Sequence, residues 1–171
     1  MFNRKFKQLL TAAIFVALCF GVVVAKTKTI EKAVKVQIST NLYQDAQLAQ
    51  QKGVPLVVMF SQDGCIYCTI VREDFLKPML ISGEYENKAI IREMKIDSFE
   101  EVRNFDGKMI PVDQLATFYR AYLTPTVIVF DSTGKPHHRI LGLVNEHYYS
   151  SELDEGIEKA YNYIHRVALN K

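Results

Sequence analysis

Two cysteines stand three positions apart, Cys65 and Cys68, inside the stretch "FSQDGCIYCTIV" at 60–71. A pair at this spacing can cycle between dithiol and disulfide, supply half of a metal site, or act as an inert staple. As a staple it closes a very short loop and removes little entropy from the unfolded chain. As a zinc site it lacks partners, because zinc usually takes four ligands and the chain holds no second CxxC. The adjacent His137 and His138 offer copper a place beside the cysteines, but they follow "STGKP" and read as a solvated turn. The redox reading gains from position. Cys65 falls where an apolar run gives way to a helix, and the free N–H groups and dipole of a helix N-terminus favour an anion. A thiol there ionises more easily, and the thiolate is the nucleophile. Cys68, one turn on, faces inward and can close the bond after Cys65 has attacked a disulfide.

The elements that must hold this pair are legible from periodicity. "NLYQDAQLAQQKG" (41–53) reads as a helix capped by Asn41 and ended by Gly53, with Leu42, Ala46, Leu48 and Ala49 recurring at helical spacing. "VPLVVMF" (54–60) is a continuous Val-rich run, the pattern of a central strand covered on both faces. A helix from 65 to about 76 follows, stopping before Pro78. "AIIREMKID" (89–97) is a second strand, and "AVKVQI" (33–38) alternates like a short edge strand. "SFEEVRNFDGKMIP" (98–111) carries an Asp106-Gly107 step between two short mixed runs and predicts a hairpin. "VDQLATFYRAY" (112–122) predicts a helix with Leu115, Phe118, Tyr119 and Tyr122 on its core side. "TPTVIVFD" (124–131) and "HHRILGLV" (137–144) are strands joined by a four-residue turn, hence antiparallel. The last helix is expected over 150–169, with Ser151 as its cap and Asp154 completing a capping box. The first two core strands are joined through a helix and should run parallel, by a right-handed crossover. The expectation is an α/β protein with a mixed central sheet and helices on both faces.

At this point the sequence resembles the thioredoxin superfamily, over roughly 41–164. The likeness is carried by "PLVVMF" before "CIYC", by "TPT" at 124–126 opening a strand, and by Gly142 late in the next strand. The layout "FDGK…LATFYRAYLTPTVIVFDSTGK" is most similar to SoxW-like periplasmic thioredoxins. The resemblance implies a thioredoxin-like fold and a protein-disulfide oxidoreductase with Cys65 and Cys68 catalytic. It implies a cis Thr124–Pro125 bond against the disulfide, keeping metal from the sulfurs. Thr124, Pro125, Tyr67 and Gly64 would shape the groove for client proteins, the Thr124 backbone pairing with an extended client segment. No cofactor beyond the Cys65–Cys68 couple and no metal is implied. The electron donor implied is a membrane thiol-transfer protein of the inner membrane. The competing reading from another class is a copper-handling or cytochrome-assembly accessory that binds through the CxxC.

Two departures from the family pattern bear on tuning. Gly64 stands where thioredoxins have Trp, and Met59 stands where they have a buried Asp that assists the resolving thiol. A water, Asp63 or Glu73 would then have to move that proton. The intervening Ile66-Tyr67 lacks a His to stabilise the Cys65 thiolate, which predicts a reducing to intermediate potential. Tyr67 either contacts client or covers the disulfide. Arg72, Glu73 and Asp74 read as a wet helix face.

The N-terminus reads as a targeting segment. Arg4, Lys5 and Lys7 precede an uncharged apolar run at 9–25, and Val23 and Ala25 match the pattern that a signal peptidase cuts. An uncleaved anchor over 9–25 is the alternative, since that run is at the lower limit for a span. Cys19 lies within it, and Leu18 before it does not fit a lipoprotein signal. The domains expected are therefore 1–25, signal peptide or anchor, and 26–171, the thioredoxin-like domain, exported to the periplasm. There a thiol pair becomes a disulfide unless something reduces it. Beyond residue 25 the balance is 18 basic to 19 acidic residues, which argues against a nucleic-acid partner. The expected state is a monomer.

Overall fold

The computed structural model describes residues 34–169. The signal-peptide or anchor segment and Cys19 lie outside the described residues. The fold is carried by the unit Val36–Lys171. In order its elements are β1 (Gln37–Ile38), α1 (Leu42–Lys52), β2 (Leu56–Ser61), α2 (Ile66–Ile70), a π-helical turn (Val71–Leu76), α3 (Lys77–Ser82), β3 (Ile90–Lys95), β4 (Glu101–Arg103), β5 (Met109–Pro111), α4 (Val112–Phe118), β6 (Thr126–Phe130), β7 (Pro136–Leu141) and α5 (Glu146–Leu169).

The central sheet runs β1-β3-β2-β6-β7. β2 pairs parallel with β3 and antiparallel with β6; β6 and β7 are antiparallel, and β1 adds a short parallel edge on β3. All six residues of β2 are buried, as a strand paired on both sides and covered on both faces requires. Alternate residues feed two cores. Val58, Phe60, Ile128 and Phe130 pack with Leu42, Ala49, Leu115 and Ala116 from α1 and α4. Val57, Met59, Ile91, Val127 and Val129 face Val71, Leu76, Met79 and, from α5, Tyr149, Leu153 and Ile157. Each large side chain fully buried this way contributes about 1.5–3 kcal/mol. The chain is therefore α/β, a mixed sheet with helices on both faces.

α1 is bounded as its ends dictate. The Asn41 side chain accepts the Gln44 N–H at 3.0 Å, and Gly53, at φ +67°, turns its N–H back to the carbonyls of Ala49 and Gln50. Leu48 is partly exposed and does not join the buried stripe of Leu42, Ala46 and Ala49. The expected hairpin forms between β4 and β5 as a separate two-stranded sheet, with Gly107 at φ +80°. Its loop is closed by Asn104 Oδ1, which accepts the N–H groups of Asp106 and Lys108.

Three boundaries differ from the sequence expectation. The helix after the cysteines does not stop before Pro78. It widens into the π-helical turn, where the Lys77 N–H reaches back five residues to the Arg72 carbonyl, and continues as α3 with Pro78 in its first turn. A proline in a regular helix clashes with the carbonyl four residues back and removes a donor. The wider turn just before it absorbs both problems.

α4 ends at Phe118, not Tyr122. Arg120 adopts φ +52° and the Ala121 N–H folds back to the Ala116 carbonyl at 2.7 Å. That break takes Tyr122 off the helical stripe. Of the three aromatic residues only Tyr119 enters the core beside Leu115, whereas Phe118 is 77% and Tyr122 65% exposed. α5 starts at Glu146, earlier than expected, with Asn145 Oδ1 accepting the His147 N–H. Ser151 is then inside the helix, and Asp154 accepts the Tyr85 hydroxyl instead of completing a cap.

His137 and His138 belong to the expected strand and not to a solvated turn. They lie within β7, partly buried, and His137 Nε2 sits 2.8 Å from Asp131 Oδ2. Burial pushes the Asp131 carboxyl up, but hydrogen bonds from Thr133, His137 and Lys135 together outweigh it and hold it below its ordinary value.

Candidate active site

β2 delivers the chain to the site. After Ser61 the strand ends, and Gly64 at φ +72° makes the turn into α2. An added Cβ at Gly64 would meet nothing within 4 Å, so the backbone conformation, not crowding, accounts for the glycine. Asp63 is anchored there by its N–H to Asp97 Oδ2 at 2.8 Å and by its carboxylate to Lys95. The Lys95 ammonium is held above its ordinary pKa, chiefly by that bond.

Cys65 is the N-cap of α2. Its Sγ accepts the Cys68 N–H at 3.1 Å, and its carbonyl accepts the N–H and hydroxyl of Thr69. Cys65 and Cys68 form a disulfide with Cα atoms 5.2 Å apart. The two sulfurs are unequal in access: Cys68 is fully buried and Cys65 only partly. An incoming thiol or disulfide can therefore reach Cys65. The helix N–H groups around it accommodate negative charge on its sulfur.

The Thr124–Pro125 peptide is cis. Thr126 pairs with Phe60, so Pro125 and the end of β2 lie at the same end of the sheet. The Pro125 carbonyl accepts the Gly142 N–H at 2.8 Å, and the Thr126 hydroxyl donates to the Leu123 carbonyl at 2.5 Å. Pro125 is buried and Thr124 partly so. Around this end several apolar side chains face solvent: Ile66 is 74%, Tyr67 59%, Leu123 54% and Val144 92% exposed.

His137 and His138 occupy the other end. Val129 pairs with His138 and Thr126 with Leu141, so the histidines are remote in register from the strand ends beside the cysteines. The CxxC and this histidine pair are not brought together. Among the described residues, no three His, Cys, Asp or Glu side chains converge as a metal site would need.

The residue that sequence reasoning missed is Glu93. It is paired with Met59 across β2 and β3 and its side chain is 2% exposed. Its Oε1 accepts the Ser61 hydroxyl at 2.5 Å, and Arg72 donates from Nε to Oε2 and from a terminal nitrogen to Oε1, both at 2.7 Å. The Arg72 guanidinium is held above its ordinary pKa, first by the hydrogen bond to Glu93, against the opposing pull of burial. Arg72 thus belongs to a buried network and not to the expected wet helix face. Glu73 is exposed and pairs with Lys77, and Asp63 is exposed and pairs with Lys95. The signal for Glu93 was a charge inside "IIREMK", where Ile90, Ile91 and Met94 face both cores. A carboxylate in a strand covered on both sides has to find a partner.

The family described as the thioredoxin-like domain matches residues 42–157. The chain belongs to that family, whose fold and CxxC pair support thiol–disulfide oxidoreductase chemistry. Among solved structures, a poplar thioredoxin h is 14% identical, with a TM-score of 0.52, over 71% of this chain and 96% of that one. Mitochondrial thioredoxin 3 from Saccharomyces cerevisiae, in its oxidised form, is 18% identical with a TM-score of 0.49, over 72% and 93% of the two chains. At 14% identity the likeness to the poplar protein is one of fold. No curated protein matches the chain.

Proposed function

We propose that this chain is an exported thiol–disulfide oxidoreductase that reduces disulfides of periplasmic client proteins, in the manner of the SoxW-like thioredoxins it resembles. The observation that carries the reading is the unequal access of the two sulfurs: Cys65 partly open at a helix N-terminus, Cys68 buried one turn on. In the dithiol form the Cys65 thiolate attacks one sulfur of a client disulfide. The new Cys65–client bond forms as the client bond breaks, and the electron pair leaves on the second client sulfur. Cys68 then loses its proton and attacks Cys65 Sγ, re-forming the disulfide described above. The client's remaining sulfur takes the electron pair and a proton, so two electrons and two protons have passed to the client.

The groove for the client runs past Gly64 and Tyr67 to Thr124 and Pro125, whose backbone pairs with an extended segment. The exposed Ile66, Leu123 and Val144 supply apolar contacts beside it. No group other than the two cysteines has to carry electrons. A membrane thiol-transfer protein would restore the dithiol, and a single chain suffices for the cycle.

The test is insulin reduction by dithiothreitol with the full chain, alongside Cys65→Ser. The expected result is acceleration by the wild type and the blank rate for the variant. No acceleration by the wild type, with stoichiometric copper binding instead, would overturn the reading in favour of a metal-handling module. Cys68→Ala, expressed in the host, should retain clients as mixed disulfides on Cys65 and so identify the pathway.

A further inference from the structure

An ion pair between Arg72 and Glu93, one side chain partly buried and the other fully, joins the helix that carries Cys68 to the sheet, and the exchange steps above do not use it. Cys68 lies in α2 and Arg72 follows four residues later, in the first part of the π-helical turn. The helix is still tightly wound between them, because the Val71 N–H bonds to the carbonyls of both Cys68 and Tyr67. Side chains four apart share one face of a helix. From that face Arg72 reaches the sheet, where both oxygens of Glu93 take its N–H groups and Ser61 fills a further site on Oε1. A carboxylate has about four acceptor sites, so the network occupies most of them. The pair is neutral as a whole but polar in arrangement. Its cationic end lies on the helix that carries Cys68, and its anionic end lies on β3.

We infer that the Arg72–Glu93 pair is a positioning dipole that sets the proton affinity of the Cys68 thiol, favouring the thiolate when that residue must resolve a mixed disulfide. This rests on the reading of Cys68 as the resolving thiol. A thiolate in a buried site is penalised by desolvation, and a nearby fixed cation offsets the penalty. The other charged or titratable groups on the surrounding elements have their own partners or face solvent, among them the exposed Asp97 after β3, which accepts the Asp63 N–H. Glu73 and Asp74 point to solvent, with Glu73 paired to Lys77. Asp63, on the loop after β2, is exposed and paired to Lys95 of β3. From α5 comes the buried Tyr149, whose hydroxyl is kept protonated by burial. That leaves Arg72 and Glu93 as the charges built into the protein behind the pair. The balance of the step is unchanged: Cys68 gives up one proton, its electron pair forms the bond to Cys65, and the client sulfur leaves with the pair from the broken bond.

The test titrates the reduced full chain, labelled with 13C at cysteine Cβ and with Cys19 replaced by serine, by NMR. Glu93→Gln leaves the cation unbalanced and should lower the Cys68 midpoint. Arg72→Gln leaves the anion unbalanced and should raise it, each by ~1 pH unit, the low end of what an uncompensated charge near a titrating group does. Arg72→Lys, which keeps the charge, should stay near the wild type. A merely structural pair would move both single variants in the same direction or neither, and either outcome overturns the inference. Should the single variants not fold, the swapped pair R72E/E93R keeps the partnership and reverses the dipole. Its Cys68 midpoint should then rise, and an unmoved midpoint overturns the inference. Because the readout is a thiol titration, a chain that fails the insulin assay but shows these shifts would count against the client reading alone.

Discussion

Glu93 and Met59 stand directly opposite each other on two parallel strands, both fully covered, one charged and one apolar. The carboxylate absent from β2 is matched by one on β3, and it is not free: Arg72 and Ser61 hold it. A buried charge in this setting is tolerated only while its partner stays. Removing one partner of such a pair costs about 3–5 kcal/mol, whereas replacing both by apolar residues of similar volume is often neutral or stabilising. Urea denaturation should therefore show Arg72→Ala less stable by about that amount, and R72M/E93M close to the wild type. Equal destabilisation in the single and the double variant would contradict the pairing.

The two cysteines should fail differently. Cys65→Ser removes the accessible nucleophile and should reduce insulin turnover to the uncatalysed background. Cys68→Ala keeps the attack but not the release, so it should give covalent adducts that run as high-mass bands without reductant and vanish with it. Equal adduct formation by both variants would contradict the assignment of roles.

Asp131 gives a pH dependence with a definite sign. Its folded-state pKa lies below the ordinary 3.8 because the bonds from Thr133, His137 and Lys135 outweigh burial. A depressed carboxyl contributes stability that is fully present above the unfolded value and is lost as pH falls through the folded one. The loss should thus begin near pH 4 and deepen below it. Urea midpoints measured at pH 7 and pH 3 should fall less in Asp131→Asn than in the wild type. An equal or larger fall in the variant would remove Asp131 from the account.

Tyr119 and Phe118 are neighbours with opposite environments. Tyr119 is buried against Phe105 and Phe130 and its hydroxyl donates to the Gly134 carbonyl at 3.1 Å; Phe118 faces solvent. Tyr119→Ala should cost about 3–5 kcal/mol, as large core truncations do. Phe118→Ser should cost no more than about 1 kcal/mol, near the range of surface changes. Comparable losses in urea melts would contradict the opposite environments of the two residues.

Cap changes should be smaller and local. Asn41→Ala removes the acceptor for the Gln44 N–H and should cost about 1 kcal/mol, read from the same melts. Gly53→Ala forces a side chain into φ +67° and should also destabilise. A stabilised Gly53→Ala would contradict the left-handed cap.

Much of this architecture was legible in the amino-acid sequence, because local rules decide it. The continuous apolar run of β2, the cap residues of α1, the Asp106-Gly107 hairpin and the antiparallel β6–β7 pair follow from periodicity and turn chemistry. So does the CxxC at a strand-to-helix junction, where position favours a redox couple. The longer reach of the helix past Pro78 was not legible, because a proline reads as a stop unless the preceding turn widens. The loss of Phe118 and Tyr122 from the core was not legible either, because it depends on Arg120 entering a left-handed conformation that non-glycine residues rarely adopt.

What the tertiary structure alone decided is the pairing of residues far apart in the chain. Arg72 looks like an ordinary surface charge along the sequence and Glu93 like a strand charge in need of a partner, and they meet only because the parallel β2–β3 register brings Glu93 to the strand face beneath the helix that carries Arg72. The same holds for Asp131 with His137, Tyr119 with Gly134, and Pro125 with Gly142. Periodicity assigns a residue to a face; burial then demands that any charge or polar group on that face be paired, and only the packed register names the partner.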